Sequence, residues 1–311
     1  MPALDDFLRH EIDVGSFPGA SYAVGTFRGI EREAALGNAV AVPLRIPATT
    51  GTIYDCASIT KPLITTTLVL QLVAERRIRL EDAHRGFTIE SLLTHTSGLQ
   101  AWLPLYALGD YVETILAKGR ETEPGTRVIY SDLNFVLLHD LVEGIVGDYS
   151  AAARDRIFEP LGLEDATFRP AAALRPRIAA TEWAQRYEAG MCASRSIRFS
   201  GFRTGLIWGE THDGNSHHAG GTIGNAGLFA TARDVFRIAQ AFATGDLVPA
   251  ALVAEATRNR TAHLGDDRAL GWQSAGSGPA TQMLPPSAFG HTGFTGTSVW
   301  IDPESERIMV L

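Results

Sequence analysis

The sequence predicts an α/β (α+β) fold in which an antiparallel sheet flanked by helices carries a mostly helical inserted domain. Three observations predict this fold. Strand-like apolar alternation occurs near the amino terminus, similar patterns return after Leu270, and the segment between them is typical of helices joined by Pro- and Gly-containing loops. The expected division is a discontinuous sheet domain, residues 1–80 and 265–311, and a helical inserted domain, residues 81–264.

The amino-terminal part is predicted to form a strand pair followed by a buried central helix. The segments ASYAVG and REAALGNAV, on either side of the Gly29 turn region, are short apolar runs bounded by glycines. From Leu63 to Val73 the residues are apolar or threonine on every side, which is typical of a helix that is buried all round. Because Pro62 lacks an N–H and fits only the first turn, we expect this helix to begin near Ser58.

The middle and the end of the chain differ in their periodicity. Helical patterns such as YVETILAKG and NFVLLHDLVEGIVG occupy the middle, and no strand is predicted between about residues 89 and 262. Thr231 and Asp234 form an expected capping box ahead of the helix VFRIAQAF, which Gly245 ends. The last segment, FGHTGFTGTSVWIDPESERIMVL, is predicted to form strands joined by a Pro turn at Asp302–Glu304.

Composition and charge exclude several classes of protein. With 45% hydrophobic and 20% charged residues among 311, the chain has the balance of a globular protein. The formal charge of −8 argues against nucleic-acid binding, and no apolar stretch reaches the ~18 residues of a membrane span. Cys56 and Cys192 are expected to be reduced thiols. The first residues show no secretory signal, so a cytoplasmic location is expected.

The stretch ASITKP, residues 57–62, places Ser58 and Lys61 three positions apart on one face of the predicted helix. A serine hydroxyl becomes a nucleophile when a base takes its proton, and a lysine serves as that base when burial or positive charge lowers its pKa. The free N–H groups of a helix start also favour an oxyanion. Alone, this pair is a weak indication and also fits a capping serine beside a solvated lysine.

A second candidate group is Tyr130, in Tyr130-Ser131-Asp132 at the start of the helix NFVLLHDLV, for which Asp132 is the expected cap. A phenol beside an ammonium ionises more easily, so Tyr130 would pass protons between Ser58 and a leaving group. The alternative is a tyrosine that simply packs at a helix entry.

A third candidate segment is His291-Thr292-Gly293, on a predicted strand just before Phe294. Here Gly293 would let a substrate lie against the backbone. The alternative is an edge strand with a glycine bend.

Together these motifs resemble the serine β-lactamase and penicillin-binding-protein superfamily. S-x-x-K, Y-x-N/D and K/H-T-G occur in that order, with spacing closest to class C β-lactamases and related esterases and D-aminopeptidases. LLTHTSGL at 92–99 and WGETHDGNSHHAGGTIGNAGLFATARD at 208–234 are similar to further segments of such hydrolases. The resemblance covers almost the whole chain and implies a β-lactamase/transpeptidase-like fold.

The resemblance implies one acyl-enzyme cycle. Ser58 would be the acylated nucleophile, Lys61 its proton acceptor, and Tyr130 the group that protonates the leaving group and helps activate the deacylating water. The oxyanion hole would be the backbone N–H groups of Ser58 and Phe294. The resemblance also implies a substrate-binding set that lines the pocket, in which Asp132 would hold Lys61 or the substrate amide: Asp132, His291, Thr292, Gly293.

Three departures from the family pattern bear on the substrate. Asp132 replaces the family's asparagine and, when ionised, donates no hydrogen bond to a penicillin side chain. His291 replaces a lysine and is a weaker, titratable charge. The chain stops at Leu311, where relatives usually add another strand and a helix, so we expect carboxylate contacts from that helix to be missing and an apolar sheet face to be uncovered.

A zinc site and a phosphate-binding loop have weaker support in the sequence. The cluster His212, Asp213, His217 and His218 contains zinc-ligand types, but adjacent histidines would point apart in an extended segment, which favours a structural or substrate-facing loop. The glycines between residues 220 and 227 lack the strand–loop–helix context of a phosphate cradle. We therefore expect no metal and no cofactor.

The expected protein is a serine hydrolase that acts on a small ester, amide or β-lactam and favours small esters or D-amino-acid amides over penicillins. The alternative is a penicillin-binding or scaffold protein that is acylated but does not turn over. The expected partner is a small-molecule substrate, with no nucleic acid and no membrane span, and a homo-oligomer remains open. Specificity should come from the loops at residues 101–119 and 183–208.

Overall fold

The computed structural model describes residues 2–276 and 281–311. The strands are β1 (Gly19–Thr26), β2 (Gly29–Val40), β3 (Ile46–Pro47), β4 (Tyr54–Asp55), β5 (Ala83–His84), β6 (Phe87–Thr88), β7 (Thr167–Phe168), β8 (Ala180–Trp183), β9 (Leu206–Trp208), β10 (Leu228–Ala230), β11 (Gln273–Ser274), β12 (Phe289–Thr292), β13 (Ser298–Asp302) and β14 (Arg307–Val310).

The helices that accompany these strands vary in length from a single turn to four turns. They are α1 (Pro2–Asp13), α2 (Thr67–Ala74), α3 (Ile89–Leu93), α4 (Leu105–Leu108), α5 (Tyr111–Lys118), α6 (Asp132–Val146), α7 (Tyr149–Ala153), α8 (Arg186–Ser194), α9 (Gly214–His218), α10 (Ala232–Thr244) and α11 (Ala250–Thr257). Tighter or wider helical turns occur at Ala57–Ile59, Lys61–Thr66, Arg154–Phe158, Ala172–Arg177 and Ala262–Leu264.

The main sheet joins the two ends of the chain. Within the described residues it contains seven strands in the order β11-β12-β13-β14-β1-β2-β3, and every pairing is antiparallel. Strand β14 pairs with β1, so the last described strand lies beside the first. The predicted α/β fold with an antiparallel sheet and flanking helices is therefore confirmed, as are the amino-terminal strand pair and the carboxyl-terminal strands.

The central helix also forms where the sequence predicts it. Helical backbone runs from Ala57 to Ala74, and this stretch is long and apolar enough to cross a membrane, yet 78% of it is buried inside the protein. Leu63, Ile64 and Leu70 are fully buried in the main core cluster, together with apolar side chains of α6 and α10. Because the stretch is enclosed by protein on all sides, it is a core helix that carries Ser58 at its beginning.

The segment between the two halves of the sheet contains more strand than the sequence predicts. The prediction of no strand between residues 89 and 262 is wrong, because β7, β8, β9 and β10 lie there. These strands are two to four residues long, which is too short for apolar alternation to be recognised. Helix α10 belongs to the predicted inserted domain but packs on the main sheet. The division into two domains stays a prediction.

Local capping follows the sequence in one helix and departs from it in another. Thr231 and Asp234 form the predicted capping box of α10, and Gly245 ends that helix with a left-handed backbone. In α6 the prediction is wrong: Ser131, not Asp132, is the N-cap residue, and neither side chain caps the helix. Asp132 is instead the first helical residue, and its carboxylate is turned towards Lys61.

Candidate active site

Ser58 is presented by a strained turn at the beginning of the central helix. Ala57 has φ +44°, a conformation that costs a residue with a Cβ of the order of 1–3 kcal/mol. The buried carboxylate of Asp55 holds this turn by accepting hydrogen bonds from the N–H of Ala57 (2.9 Å) and of His212 (2.6 Å). Burial raises the pKa of Asp55, although these two hydrogen bonds act to lower it. The turn leaves Ser58 half-buried at the lining of a cavity of about 480 Å³.

Lys61 contacts three acceptors with its ammonium group. Nζ lies 2.9 Å from Ser58 Oγ, 2.9 Å from the carbonyl of Asn225 and 2.7 Å from Asp132 Oδ1. The contacts with Ser58 and Asn225 are hydrogen bonds, and the contact with Asp132 is an ion pair. The side chain is fully buried.

The carboxylate of Asp132 controls the protonation of Lys61. Burial lowers its pKa, but attraction by the carboxylate of Asp132, together with Tyr130, outweighs burial and leaves the pKa raised. The condition under which a lysine serves as the base, a lowered pKa, is therefore not met before the substrate binds, because the carboxylate of Asp132 lies beside the ammonium. In the resting site Lys61 is an ammonium ion that donates to the serine hydroxyl.

Tyr130 lies on the other side of this ammonium. Nζ of Lys61 is 5.1 Å from the centre of the Tyr130 ring, and that ring is 5.6 Å from His291 and 4.7 Å from His95. The Tyr130 hydroxyl is buried and forms no hydrogen bond with a described residue. Its position between Lys61 and the cavity suits a proton carrier whose second partner arrives with the substrate.

His291 is neutral, which corrects its expected role as a weak positive charge. Nδ1 lies 2.7 Å from the carbonyl of Thr292, and since a carbonyl only accepts, Nδ1 carries the proton. Burial, and the charges of Lys61 and Arg268, lower the pKa of His291 to about 3. Its Nε2 is consequently a bare acceptor, and no described residue donates to it.

Gly293 brings the end of β12 against the turn that carries Ser58. A Cβ at this position would lie 2.1 Å from Thr297 Oγ1 and 2.7 Å from the carbonyl of Cys56. The space on the Cβ side of Gly293 is therefore filled by protein, while Gly293 also lines the cavity, and a substrate that lies against its backbone stays a prediction. This close approach sets the backbone of Phe294 opposite the beginning of the helix, and Phe294 lines the same cavity as Ser58.

These residues surround one cavity of about 480 Å³. It contains the predicted residues Ser58, Tyr130, Asp132 and the segment from His291 to Phe294, while Lys61 lies buried behind Ser58. Other side chains of its lining are Trp102, Tyr187, Glu188, Met191, His212, Asp213, Arg268 and Gln273. The structure thus brings the three predicted motifs together, although up to 235 residues separate them in the sequence.

The histidine-rich segment does not assemble as a metal site. His212 pairs with Glu182 (2.8 Å), His217 with Glu210 (3.3 Å), and His218 packs on Tyr106. Among the described residues no three His, Cys, Asp or Glu side chains converge as metal ligands. The adjacent histidines lie on α9 and not on an extended segment, so the predicted conformation is wrong although the loop is, as expected, at the cavity.

Sequence reasoning missed several residues that support the site. His95, within LLTHTSGL, accepts hydrogen bonds at Nδ1 from the Ser131 N–H (3.0 Å) and from Asn134 (3.1 Å), which fixes the segment that carries Tyr130. Asn225 contributes only its carbonyl, so its side chain gives no indication of the role. The two segments that support the family resemblance therefore contain the residues that hold Tyr130 and Lys61 in place.

Comparison with known proteins identifies relatives across the whole chain. The family model described as Beta-lactamase matches residues 4–311. A putative D-alanyl-D-alanine carboxypeptidase from Escherichia coli (strain K12) is 29% identical over 355 residues, covering 99% of this chain and 80% of the relative.

Solved structures share the fold at lower identity. A penicillin-binding protein homologue from Caulobacter crescentus superposes with a TM-score of 0.77 at 20% identity, covering 99% of this chain and 90% of the other. The octameric penicillin-binding protein homologue from Pyrococcus abyssi has a TM-score of 0.75 at 20% identity, with coverage of 99% and 72%.

Proposed function

The chain belongs to the Beta-lactamase family, and from this premise we propose that Ser58 is the nucleophile of a hydrolase that favours small esters or D-amino-acid amides over penicillins. Members of this family are serine hydrolases that act through an acyl-enzyme. The observation that carries the assignment is the 2.9 Å contact between Lys61 Nζ and Ser58 Oγ at the edge of a cavity of about 480 Å³.

The proposed cycle assigns each proton to a group that is in place. Lys61 first gives its extra proton to water, and its neutral amine then takes the proton of Ser58 Oγ as that oxygen attacks the substrate carbonyl. The resulting oxyanion accepts hydrogen bonds from the N–H groups of Ser58 and Phe294. Tyr130 gives its proton to the leaving group as the bond between that group and the carbonyl carbon breaks, and Tyr130 regains a proton from the Lys61 ammonium. A water molecule then attacks the acyl carbonyl and gives one proton, through Tyr130, to the neutral Lys61; that proton passes to Ser58 Oγ as the ester bond breaks and the acid leaves. The pair with Asp132 makes the neutral amine scarce at neutral pH.

The preference against penicillins rests on Asp132. Its carboxylate donates no hydrogen bond, and one of its oxygens is already engaged by Lys61 at 2.7 Å. A penicillin side-chain amide would therefore lose the donor and acceptor pair that an asparagine offers. The similarity to the putative D-alanyl-D-alanine carboxypeptidase of Escherichia coli supports substrates that contain D-amino acids.

The test compares p-nitrophenyl butyrate with nitrocefin while the intact mass of the protein is followed. We expect ester turnover, little nitrocefin hydrolysis, and no turnover by Ser58→Ala. A matched control is Ser91→Ala, since Ser91 lies on α3 away from the cavity and bonds only within its own turn. Wild-type activity in Ser58→Ala would refute the assignment.

A second candidate function is a protein that is acylated but does not turn over. The replacement of the family's asparagine by Asp132, whose carboxylate pairs with Lys61 at 2.7 Å, favours a site that has departed from efficient turnover. A stable mass increase without ester turnover would establish this candidate.

Two further proposals concern the assembly of the protein and its location in the cell. A homo-oligomer is supported by the octameric homologue from Pyrococcus abyssi, and a cytoplasmic location by two buried cysteines that are both free thiols. Light scattering and cell fractionation measure these two properties directly.

A further inference from the structure

One wall of the cavity carries two carboxyl groups that the reaction at Ser58 does not use. Glu188, on α8, is 4% exposed and is held by three donors: the Gly214 N–H at 2.6 Å, the Tyr106 hydroxyl at 2.9 Å and Gln185 Nε2 at 3.0 Å. These bonds fix the Glu188 carboxylate behind the beginning of α9. Asp213, the residue immediately before that helix, is set in front of it and lines the cavity.

Asp213 has one oxygen engaged and one open. Oδ1 accepts the Ser216 N–H at 2.7 Å, while Oδ2 accepts no hydrogen bond from a described residue. Burial raises the pKa of Asp213 to about 7, and the negative charges of Glu188 and Asp132 add to this effect. The wall formed by Glu188 and Asp213 therefore carries more negative charge than the neighbouring groups stabilise.

The cations near Asp213 are committed elsewhere. Lys61 is paired with Asp132 at 2.7 Å, and the guanidinium of Arg203 donates to the carbonyls of Thr211 and His212. In the described part of the chain no basic side chain forms an ion pair with Asp213. The titratable and charged groups that face it from the surrounding elements are Lys61, Tyr106, Tyr111, Asp132, Glu188 and Arg203.

A second, independent observation comes from the opposite strand. His291 is 3% exposed, lines the same cavity, and presents Nε2 as an acceptor to which no described residue donates. A buried acceptor without a donor is costly, so the bound state should supply one. An open carboxylate oxygen and a bare imidazole nitrogen in one cavity both require a ligand with N–H donors, and the carboxylate requires positive charge as well.

We propose that Asp213, supported by Glu188, is the subsite for a substrate ammonium group, so that the enzyme selects acyl donors with a free amino group over N-acylated or uncharged ones. The proposal rests on the proposed hydrolase function and defines its substrate class more closely. In the complex, the ammonium donates to Asp213 Oδ2, and an N–H of the scissile amide donates to His291 Nε2. N-acylation removes the charge and replaces it with bulk.

The test compares three p-nitroanilides that differ at a single group: D-alanyl, N-acetyl-D-alanyl and D-lactoyl. We expect wild-type kcat/KM to favour the D-alanyl compound at least tenfold over each of the others. Asp213→Asn should lower this ratio to near one, because asparagine keeps the capping bond to Ser216 but has no charge. Asp148→Asn is the matched control, since Asp148 caps α7 through the Ala151 N–H at 2.8 Å outside this cavity, and it should keep the wild-type ratio.

A binding experiment covers the case in which Asp213→Asn does not fold. Calorimetry with Ser58→Ala should show D-alaninamide binding at least tenfold tighter than D-lactamide. The affinity for D-alaninamide should fall between pH 7.5 and pH 6, because Asp213 takes up a proton while the ligand, with an α-amino pKa of about 8, stays charged. The affinity for D-lactamide should not change over this range.

The outcomes separate the two proposals. If wild type hydrolyses the three compounds equally, or if Asp213→Asn keeps the preference, the ammonium subsite is refuted while the hydrolase stands. If no ester or amide is hydrolysed and Ser58 is not acylated, the proposed function itself fails. Equal, pH-independent affinity for D-alaninamide and D-lactamide in Ser58→Ala would refute the subsite without any reference to turnover.

Discussion

On the nucleophile side of the cavity, which consists of Ser58, Lys61 and Asp132, the positive charge is paired within the protein, whereas on the opposite side a negative charge has no such partner among the described residues. The Lys61 ammonium donates to Ser58 Oγ and to the Asn225 carbonyl and forms an ion pair with Asp132. On the recognition side, which consists of Asp213, Glu188 and His291, a carboxylate oxygen and an imidazole nitrogen have no donor from a described residue.

This difference distinguishes the contacts that the protein makes before the substrate binds from the contacts that the substrate completes. The contacts of Lys61 with Ser58, Asn225 and Asp132 fix the reacting groups before the substrate arrives. Such fixed groups are the condition for electrostatic preorganisation. A buried acceptor without a donor has a free-energy cost, and a ligand that supplies the donor removes this cost. Such acceptors therefore favour a complementary ligand over others. Substitutions on the nucleophile side should therefore impair all substrates alike, and those on the recognition side should change the ranking of substrates.

The largest effect is expected for Lys61→Met, which removes the proton acceptor of Ser58 and keeps an apolar side chain in the buried space. Loss of a general base lowers the rate by roughly 10²–10⁴-fold, and esters and amides should be affected equally. The rate of labelling of Ser58 by a fluorophosphonate measures acylation directly. Lys118→Met is the control, because Lys118 is the only other lysine of the sequence and is exposed at the end of α5. Rapid labelling of Lys61→Met would show that another group takes the proton.

A smaller loss is expected for Gly293→Ala, at the junction of the two sides. The new Cβ would lie 2.1 Å from Thr297 Oγ1 and 2.7 Å from the Cys56 carbonyl, so the end of β12 must move and the Phe294 N–H with it. Removal of one oxyanion donor costs about 10²–10³-fold in kcat, and a displaced donor should cost less than that. Gly144→Ala on α6, where a Cβ meets nothing within 4 Å, should keep full activity. Unchanged kcat in Gly293→Ala would remove Phe294 from the oxyanion hole.

How much of the site the sequence predicts depends on where each contact comes from. Ser58 and Lys61 are three residues apart on one helix, so their contact follows from helix geometry alone. The presence of strands at both ends of the chain follows from apolar alternation. The role of Tyr130 and His291 required the motifs to be considered together, because each of them alone also fits a packing residue.

Other contacts leave no mark on the sequence. The third acceptor of Lys61 is a backbone carbonyl 164 residues away, and any residue type at 225 would supply it. The raised pKa of Lys61 depends on a balance between burial and one nearby carboxylate, which no periodicity encodes. Glu188 and Asp213 meet only because α8 and α9 pack together through the Gly214 N–H.

The most discriminating prediction concerns Asp132→Asn, which keeps the shape of the nucleophile side and removes its negative charge. Without that charge, burial is the main remaining influence on Lys61, so its pKa should fall. Because the reaction needs the neutral amine, the rise of kcat/KM with pH should move to lower pH, and a shift of about one unit would equal ~1.4 kcal/mol.

Lysine labelled with ¹³C allows this pKa to be measured directly by NMR, because the sequence contains only Lys61 and Lys118. The Lys61 signal of Asp132→Asn should titrate at lower pH than in wild type, while the exposed Lys118 serves as an internal reference. Asp140→Asn is the matched control, since Asp140 is on the same helix and pairs with His84 and Arg85. A shifted Lys61 titration with an unshifted rate profile would show that Lys61 holds Ser58 in place without taking its proton, and the nucleophile side would then be a positioning network whose base lies elsewhere.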